Sequence, residues 1–210
     1  EAILEEFIPD LVGVTCMFTM THKSLQHVCE FIHHKGHVIA AGGVHVSNDV
    51  NRVLDDIPAI AFAFLREGEQ ALNNFIEFIN NDAPVSILGQ VVINSRIGGN
   101  TARNHLTREC PPASDMINLA PAIDLLEINE YSSVGTIGAF YYFKPQDTVF
   151  STVLSNRGCR AQCTFCSVRN FNGKGVRGRD YMLVVDEIEQ LVVEEGMGHF
   201  MWLDDDLLKD

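Results

Sequence analysis

The sequence predicts an α/β fold in which an open parallel sheet is followed by the opening of a parallel β/α barrel. Three apolar runs of strand length, residues 11–19, 38–41 and 59–65, alternate with amphipathic helical patterns. This alternation favours parallel strands that are joined by right-handed crossover helices. A second strand–loop–helix–strand pattern between residues 149 and 203 is typical of the start of a barrel.

The helices between these strands are predicted from apolar spacing and stop signals. Residues 24–35 form an amphipathic pattern that ends at Gly36, and a short helix is predicted around residues 48–54. A third helix begins near Glu69 and runs to about residue 79. In the later unit, residues 181–195 form a helix before a strand that leads into three consecutive aspartates. The inner faces of the longer helices are predicted to carry Leu25, Val28, Phe31 and Ile32; Leu72, Phe75, Ile76 and Ile79; and Val184, Val185, Ile188, Leu191 and Val192.

We divide the chain into three ranges: a sheet domain over residues 1–82, a connector over 83–147, and the barrel opening over 148–210. The connector holds a predicted hairpin over residues 87–93 with a turn at Gly98-Gly99, then prolines at 111, 112 and 121. A whole barrel needs roughly 200 residues or more, so the barrel is expected to be incomplete. The chain lacks an initiator Met, and we expect the sheet domain to be incomplete at its amino end.

Composition narrows the functional class. Hydrophobic residues make up 46% of the chain and charged residues 20%, as in globular proteins with a buried core. The net charge of −13 argues against nucleic-acid binding, which needs clustered Lys and Arg. No apolar run has the roughly 18 residues that a membrane span requires, and no signal peptide is readable. We therefore expect a cytoplasmic protein with reduced thiols.

Three of the six cysteines, Cys159, Cys163 and Cys166, lie close together in the motif CxxxCxxC. Thiolates at such spacing on a loop hold iron–sulfur clusters, and three of them leave one iron of a 4Fe–4S cube open to another ligand. The surrounding stretch, residues 151–179, contains arginines and a lysine but no Asp or Glu. That charge suits an anionic cluster, although a solvated basic loop explains it equally well.

Other interpretations of the cysteine motif stay open at this level. Structural zinc usually shows a second CxxC pair or downstream histidines, whereas only His199 follows Cys166. A thioredoxin-like redox pair would use Cys163 and Cys166 but leaves the upstream cysteine unexplained. Chance clustering of buried cysteines is a further alternative. The scattered Cys16 and Cys29 lie in apolar surroundings and are predicted to be core residues.

The motif and its surroundings resemble the radical S-adenosylmethionine superfamily. Phe165 precedes the last cysteine, residues 155–159 form an SxRGC lead-in, and Arg177 and Arg179 precede the following helix. The resemblance implies that the cluster's open iron chelates S-adenosylmethionine, whose one-electron cleavage gives a 5′-deoxyadenosyl radical and methionine. It also implies that Phe165 packs near the adenine and that Asp204 contacts cofactor or substrate, although a solvated acid explains Asp204 equally well.

The amino-terminal half resembles the Rossmann-like cobalamin-binding domain that precedes the barrel in one subgroup of that superfamily. Residues 9–15, 41–45, 66–69 and 121–126 match it in order and approximate spacing. Glycines at strand ends allow a large flat ligand to approach the backbone. The DxHxxG motif, with its cobalt-ligating histidine, is absent from the chain. The resemblance implies these candidate cobalamin contacts: Thr15, Gly42, Gly43, His45, Gly68 and Glu69.

Each of those contacts has a plainer explanation. Gly-Gly turns end strands in many α/β proteins, His45 fits a hydrogen-bonded polar residue, and Glu69 suits the first turn of a helix.

The leading hypothesis is a radical S-adenosylmethionine enzyme that acts on a small molecule by cobalamin-dependent methyl transfer or another rearrangement. Its electron donor would be a flavodoxin or ferredoxin. The alternatives are a non-catalytic iron–sulfur or metal-binding module with a corrinoid carrier, and a truncated chain with neither activity.

Overall fold

The computed structural model describes residues 2–96, 105–109, 116–134 and 149–207. The chain forms two compact units, one made of residues 1–112 with 170–173 and the other of residues 113–169 with 174–210. The predicted turn at Gly98-Gly99 and the prolines at 111 and 112 lie outside the described residues.

The first unit is built around a five-stranded sheet in the order β1-β2-β3-β4-β5. Its strands are β1 (Leu11–Thr15), β2 (Val38–Gly42), β3 (Phe62–Phe64), β4 (Val91–Ile93) and β5 (His105–Leu106). Its helices are α1 (Ala2–Phe7), α2 (His22–His34), α3 (Val44–Asn48), α4 (Val50–Asp56) and α5 (Glu69–Ile79). The strands β1, β2 and β3 are parallel, which confirms the predicted open α/β sheet.

The predicted hairpin is present as two short antiparallel strands, and these extend the sheet, which the sequence does not predict. Strand β4 pairs antiparallel with β3, Phe62 opposite Ile93, and β5 pairs antiparallel with β4. Both lie in the range 83–147 that the sequence assigns to a connector. With three and two residues, they are too short for a periodic signal to show which edge they join. The division into three ranges stays a prediction.

The sheet is covered on both faces, as its apolar strands predict. On one face Ile39 and Ala41 pack with α2, α3 and α4, and on the other face Ala40 packs with α5. The buried helical faces are narrower than predicted. Helix α2 buries Leu25, Cys29 and Ile32. Several residues of the predicted inner faces are exposed instead: Val28, Phe31, Leu72, Ile76, Ile79, Val185 and Val192.

The second unit contains one parallel β–α–β element. Strand β6 (Phe150–Val153) pairs in parallel with β9 (His199–Trp202), and α8 (Tyr181–Val193) connects them. The helix begins at Asp180, whose carboxylate accepts a hydrogen bond from the Met182 amide at 2.9 Å. This order confirms the predicted strand–loop–helix–strand pattern. The other α-helix and strands of this unit are α6 (Ile128–Val134), β7 (Asn156–Arg157) and β8 (Arg177–Gly178), and the residues of α7 (Val168–Phe171) are divided between the two units.

A small apolar core joins β6 to α8. Val153 on the strand packs with Val184 and Leu191 on the helix, and Ile123 and Met197 complete the cluster. This core holds the carboxyl end of β6, from which the cysteine segment leaves the sheet. Within the described part of the chain, no helix combines the length and apolarity needed to cross a membrane.

Candidate functional site

The cysteines lie on a loop that leaves the carboxyl end of β6, where the sequence places them. We define the cysteine loop as residues 155–169. Its base is closed by the antiparallel pair β7–β8, in which Asn156 lies opposite Gly178. The Arg179 amide donates to the Ser155 carbonyl at 2.8 Å, and Cys159 bridges to Lys174. Backbone pairing therefore fixes the path of the loop up to its first cysteine.

The three thiols of this loop are free and accessible. Cys159 is half-buried, whereas Cys163 and Cys166 are exposed. The Cys166 amide donates to the Cys163 carbonyl at 3.2 Å, so these two residues share a tight turn. Phe165, between them in the chain, is 90% exposed. The tip of the loop thus presents two sulfurs and an aromatic ring to the outside.

The three thiols of the loop are the donor type that holds an iron–sulfur cluster. Among the residues that the structure describes, no three His, Cys, Asp or Glu side chains are grouped to hold one metal ion. Structural zinc needs four ligands that converge on one point. In a cubane each thiolate binds a different iron, so the three sulfurs can stay apart. The donor set, three free thiols on one loop, fits three corners of such a cube.

Asp204 lies just beyond β9, as predicted, and its carboxylate is directed to the base of the cysteine loop. Oδ1 accepts hydrogen bonds from the backbone amides of Ser155 at 2.7 Å and Asn156 at 3.1 Å. Oδ2 accepts from the Ser155 hydroxyl and from Asn156 Nδ2, the latter at 3.0 Å. The neighbouring Asp206 carboxylate lies 3.0 Å from Arg160 Nε. No local sequence pattern indicates these contacts, because the partners are about fifty residues apart in the chain.

A buried ion pair supports the same region. Arg179 Nη2 lies 2.7 Å from Glu187 Oε2, and the two side chains are only 4% and 7% exposed. Arg179 Nη1 also donates to the Leu154 carbonyl at 2.8 Å. Two of the arginines in the basic stretch, Arg160 and Arg179, are thus paired with acids of the same unit. Sequence analysis missed Glu187, which occupies a position on the inner face of α8 where an apolar residue is expected.

In the first unit, the predicted cobalamin contacts lie at the carboxyl ends of β1, β2 and β3, which share one edge of the sheet. Gly43 adopts φ 103°, and a Cβ there would lie 2.4 Å from the Cys16 carbonyl oxygen. The Cys16 amide donates to the Gly42 carbonyl at 2.9 Å, and the His45 amide donates to the Cys16 carbonyl at 3.1 Å. Glycine at position 43 is therefore required by the close approach of two backbone segments.

His45 is held by other side chains. Its Nδ1 lies 3.2 Å from the Thr19 hydroxyl, and its Nε2 lies 2.9 Å from His22 Nδ1. His22 Nε2 in turn lies 3.2 Å from Asp56 Oδ2. Burial, and secondarily His22, lowers the pKa of His45, so its ring is neutral at physiological pH. Both ring nitrogens are engaged, which favours the hydrogen-bonded polar residue over a metal ligand.

The other residues on this edge are less constrained. A Cβ at Gly42 would lie at ordinary contact distance, 3.7 Å from the Phe64 carbonyl oxygen. Gly68 has φ −92°, and a Cβ there would point into open space, so nothing in the described structure requires glycine at this position. Glu69 lies in the first turn of α5, which suits its charge. The Thr15 hydroxyl lies beside Gly43. These residues remain predicted contacts.

The cysteines should differ sharply in reactivity. Burial raises the pKa of Cys29 to about 11, and its side chain is fully buried. At pH 8 about one Cys29 in a thousand would be a thiolate, the form that alkylates. We expect iodoacetamide to modify Cys163 and Cys166 in the folded apoprotein while Cys29 reacts at least a hundredfold more slowly. Peptide mapping by mass spectrometry measures this, with urea-unfolded protein as the control; comparable rates in the folded chain would contradict the assignment.

Comparison with known proteins gives a family context to these sites. Residues 1–76 match the family described as "B12 binding domain". A cytidylyl-2-hydroxyethylphosphonate methyltransferase from Streptomyces wedmorensis is 26% identical over 99% of this chain. An anaerobic magnesium-protoporphyrin IX monomethyl ester cyclase from Cereibacter sphaeroides is 27% identical over 97% of it. The chain spans 42% of the methyltransferase and 31% of the cyclase.

A solved structure agrees in fold with nearly the whole chain. It is the radical S-adenosylmethionine methyltransferase TsrM from Kitasatospora setae with cobalamin and a [4Fe–4S] cluster bound. The TM-score is 0.68 at 18% identity, covering 98% of this chain and 40% of TsrM. The chain resembles cobalamin-dependent radical S-adenosylmethionine enzymes. The resemblance predicted from the sequence is confirmed, and the range that matches the B12-binding family contains the first-unit residues described above.

Proposed function

We propose that this chain is part of a radical S-adenosylmethionine enzyme in which Cys159, Cys163 and Cys166 hold a 4Fe–4S cluster. The observation that carries the proposal is the cysteine loop itself. Three free thiols lie on one loop at the carboxyl end of a parallel strand, and backbone pairing fixes the base of that loop. Barrel enzymes place their reactive groups at this end of their strands.

The protein's own groups would bind and orient the cofactors. The thiolates would hold three irons and leave the fourth free for the amino and carboxyl groups of S-adenosylmethionine. Phe165, exposed at the loop tip, would lie against the adenine. When bound, the cluster supplies the electron that cleaves the sulfonium to a 5′-deoxyadenosyl radical and methionine. The exposed loop tip leaves access for a reducing protein such as flavodoxin or ferredoxin.

The B12-binding domain would contribute a corrinoid at the edge formed by β1, β2 and β3. Close packing at Gly43 brings the ends of two strands together, and the exposed apolar Met17, Phe18 and Met20 follow β1. A large flat ligand suits such an edge. Contacts would come from Thr15, Gly42, Gly43, His45, Gly68 and Glu69. Because both nitrogens of His45 are engaged, that residue would contact the corrinoid without ligating cobalt.

The reaction would be methyl transfer to a small-molecule substrate or another rearrangement. Methyl transfer is supported by the relative that is a methyltransferase, and the relative that is a cyclase supports a reaction other than methyl transfer. The decisive experiment is anaerobic reconstitution of the purified chain with iron and sulfide. We expect about four iron per chain and formation of 5′-deoxyadenosine on reduction with S-adenosylmethionine.

Other outcomes of that experiment discriminate among the alternatives. Iron-free protein that holds one zinc per chain would refute the cluster. A stable cluster that never cleaves S-adenosylmethionine would support the non-catalytic iron–sulfur module. Cobalamin retention on gel filtration, measured separately by its visible absorbance, tests the corrinoid proposal independently of iron.

A further inference from the structure

We propose that Asp204 is a positioning residue for the cluster. Its carboxylate holds the cysteine loop by hydrogen bonds, an arrangement that we call the clamp. These bonds use all of its acceptor sites, so none is left for a cofactor or substrate. This inference rests on the proposed function and names a part of its site. An ionised carboxylate offers about four lone-pair sites, two on each oxygen. In Asp204 all four are used by Ser155 and Asn156, two donors to Oδ1 and two to Oδ2.

The partners of Asp204 mark where the clamp acts. Ser155 and Asn156 lie just after β6 leaves the sheet, and they precede Cys159 by only a few positions. Asn156 is buried and also donates through Nδ2 to the Asp206 carbonyl at 3.3 Å. The aspartates after β9 therefore tie the start of the cysteine loop to the end of the neighbouring strand.

Asp206 holds the loop a second time, closer to the thiols. Its carboxylate lies 3.0 Å from Arg160 Nε and is largely buried, and the Arg160 amide also points to it at 3.4 Å. Arg160 directly follows Cys159 in the chain. Contacts from Asp204 and Asp206 thus lie on either side of Cys159. Hydrogen bonds to a charged acceptor are among the stronger ones, so this arrangement restricts the first thiolate before any iron is bound.

The clamp can be tested without the cluster by hydrogen exchange of the apoprotein. In Asp204→Ala the amides of Ser155 and Asn156 lose their acceptor, and we expect them to exchange roughly tenfold faster or more. Amides in α8 serve as an internal check that the unit stays folded. The exchange rates of these two amides in Asp204→Asn should fall between those of the wild type and Asp204→Ala, because the Asn oxygen still accepts from both backbone amides. The matched control is Asp186→Asn, which removes the same charge from an exposed position on α8.

The consequence for the cluster is measured on reconstituted protein. We expect Asp204→Ala to release iron to a chelator several-fold faster than the wild type and Asp186→Asn, while cluster-loaded variants bind S-adenosylmethionine as tightly as the wild type. The opposite pattern, unchanged iron release with weakened S-adenosylmethionine binding, would make Asp204 a ligand contact and overturn the proposal. Unchanged amide exchange would overturn it as well.

Failure of the proposed function is a separate result. If the wild-type chain assembles no cluster, the enzyme assignment fails, and the exchange comparison in the apoprotein still decides whether Asp204 clamps the loop. If the wild type forms a cluster and cleaves S-adenosylmethionine but Asp204→Ala matches it in exchange and iron release, only the clamp is refuted.

Discussion

Replacing Cys163 with Ala should abolish cluster assembly, reducing bound iron from about four per chain to nearly none. Cys163 is one of two exposed thiols on the loop, and its backbone carbonyl organises the turn to Cys166. Only two thiolates would remain, and a cube held at two corners is open to solvent on the other two. Iron and acid-labile sulfide assays after anaerobic reconstitution, with the visible absorbance of the cluster, measure the loss.

The matched control is Cys29→Ala. Cys29 is a fully buried thiol in the core of the first unit, between α2 and the sheet. Its loss should cost about 1 kcal/mol of stability and leave iron binding at the wild-type value. Equal iron loss in both variants would show that general instability, and not the missing ligand, empties the site.

Replacing Gly43 with Ala should destabilise the first unit by roughly 3 kcal/mol or more. A non-glycine residue at φ 103° is strained, and the new Cβ would lie 2.4 Å from the Cys16 carbonyl oxygen. That oxygen belongs to backbone, so the ends of β1 and β2 would have to separate. The hydrogen bonds that join Cys16 to Gly42 and His45 would weaken with them. Urea unfolding followed by circular dichroism measures the change.

Gly68→Ala provides the comparison for Gly43. Gly68 also lies on the predicted corrinoid edge, but its φ is −92° and its surroundings are open. We expect its substitution to change the free energy of unfolding by no more than about 0.5 kcal/mol. A similar loss in both variants would mean that the close approach at Gly43 does not explain its glycine.

The parts of the fold that the sequence predicts well are those with long periodic signals. Residues 181–195 are predicted as a helix from their repeated apolar residues, and α8 is Tyr181–Val193. The strand predicted over residues 11–19 ends at Thr15, since the chain leaves the sheet at Cys16 to approach Gly43. Such a departure depends on a tertiary contact that local hydropathy does not record.

The candidate site shows the same contrast between features with a local sequence signal and features that depend on tertiary contacts. The motif predicts Cys159, Cys163 and Cys166 as cluster ligands because their spacing is local, and Asp204 is a candidate because it follows a strand. The partners of Asp204, by contrast, precede α8 in the chain, and the buried pair of Arg179 and Glu187 looks in sequence like two surface charges. Likewise, nothing local indicates that His22 and His45 meet. Contacts over long sequence separation are set by the fold and not by neighbouring residues.

The hydrogen bonds at the base of the cysteine loop are made by backbone amides, carbonyls and carboxylates. The thiols at the tip of the loop take no part in the pairing of β7 with β8. Folding and loading of the proposed cluster would therefore be separable events. Unlike a zinc finger, which unravels when its ion is removed, this unit would keep its shape after oxidative damage strips the iron. The emptied loop would still present its cysteines, so repair would require reduced thiols, new iron and sulfide, and no refolding.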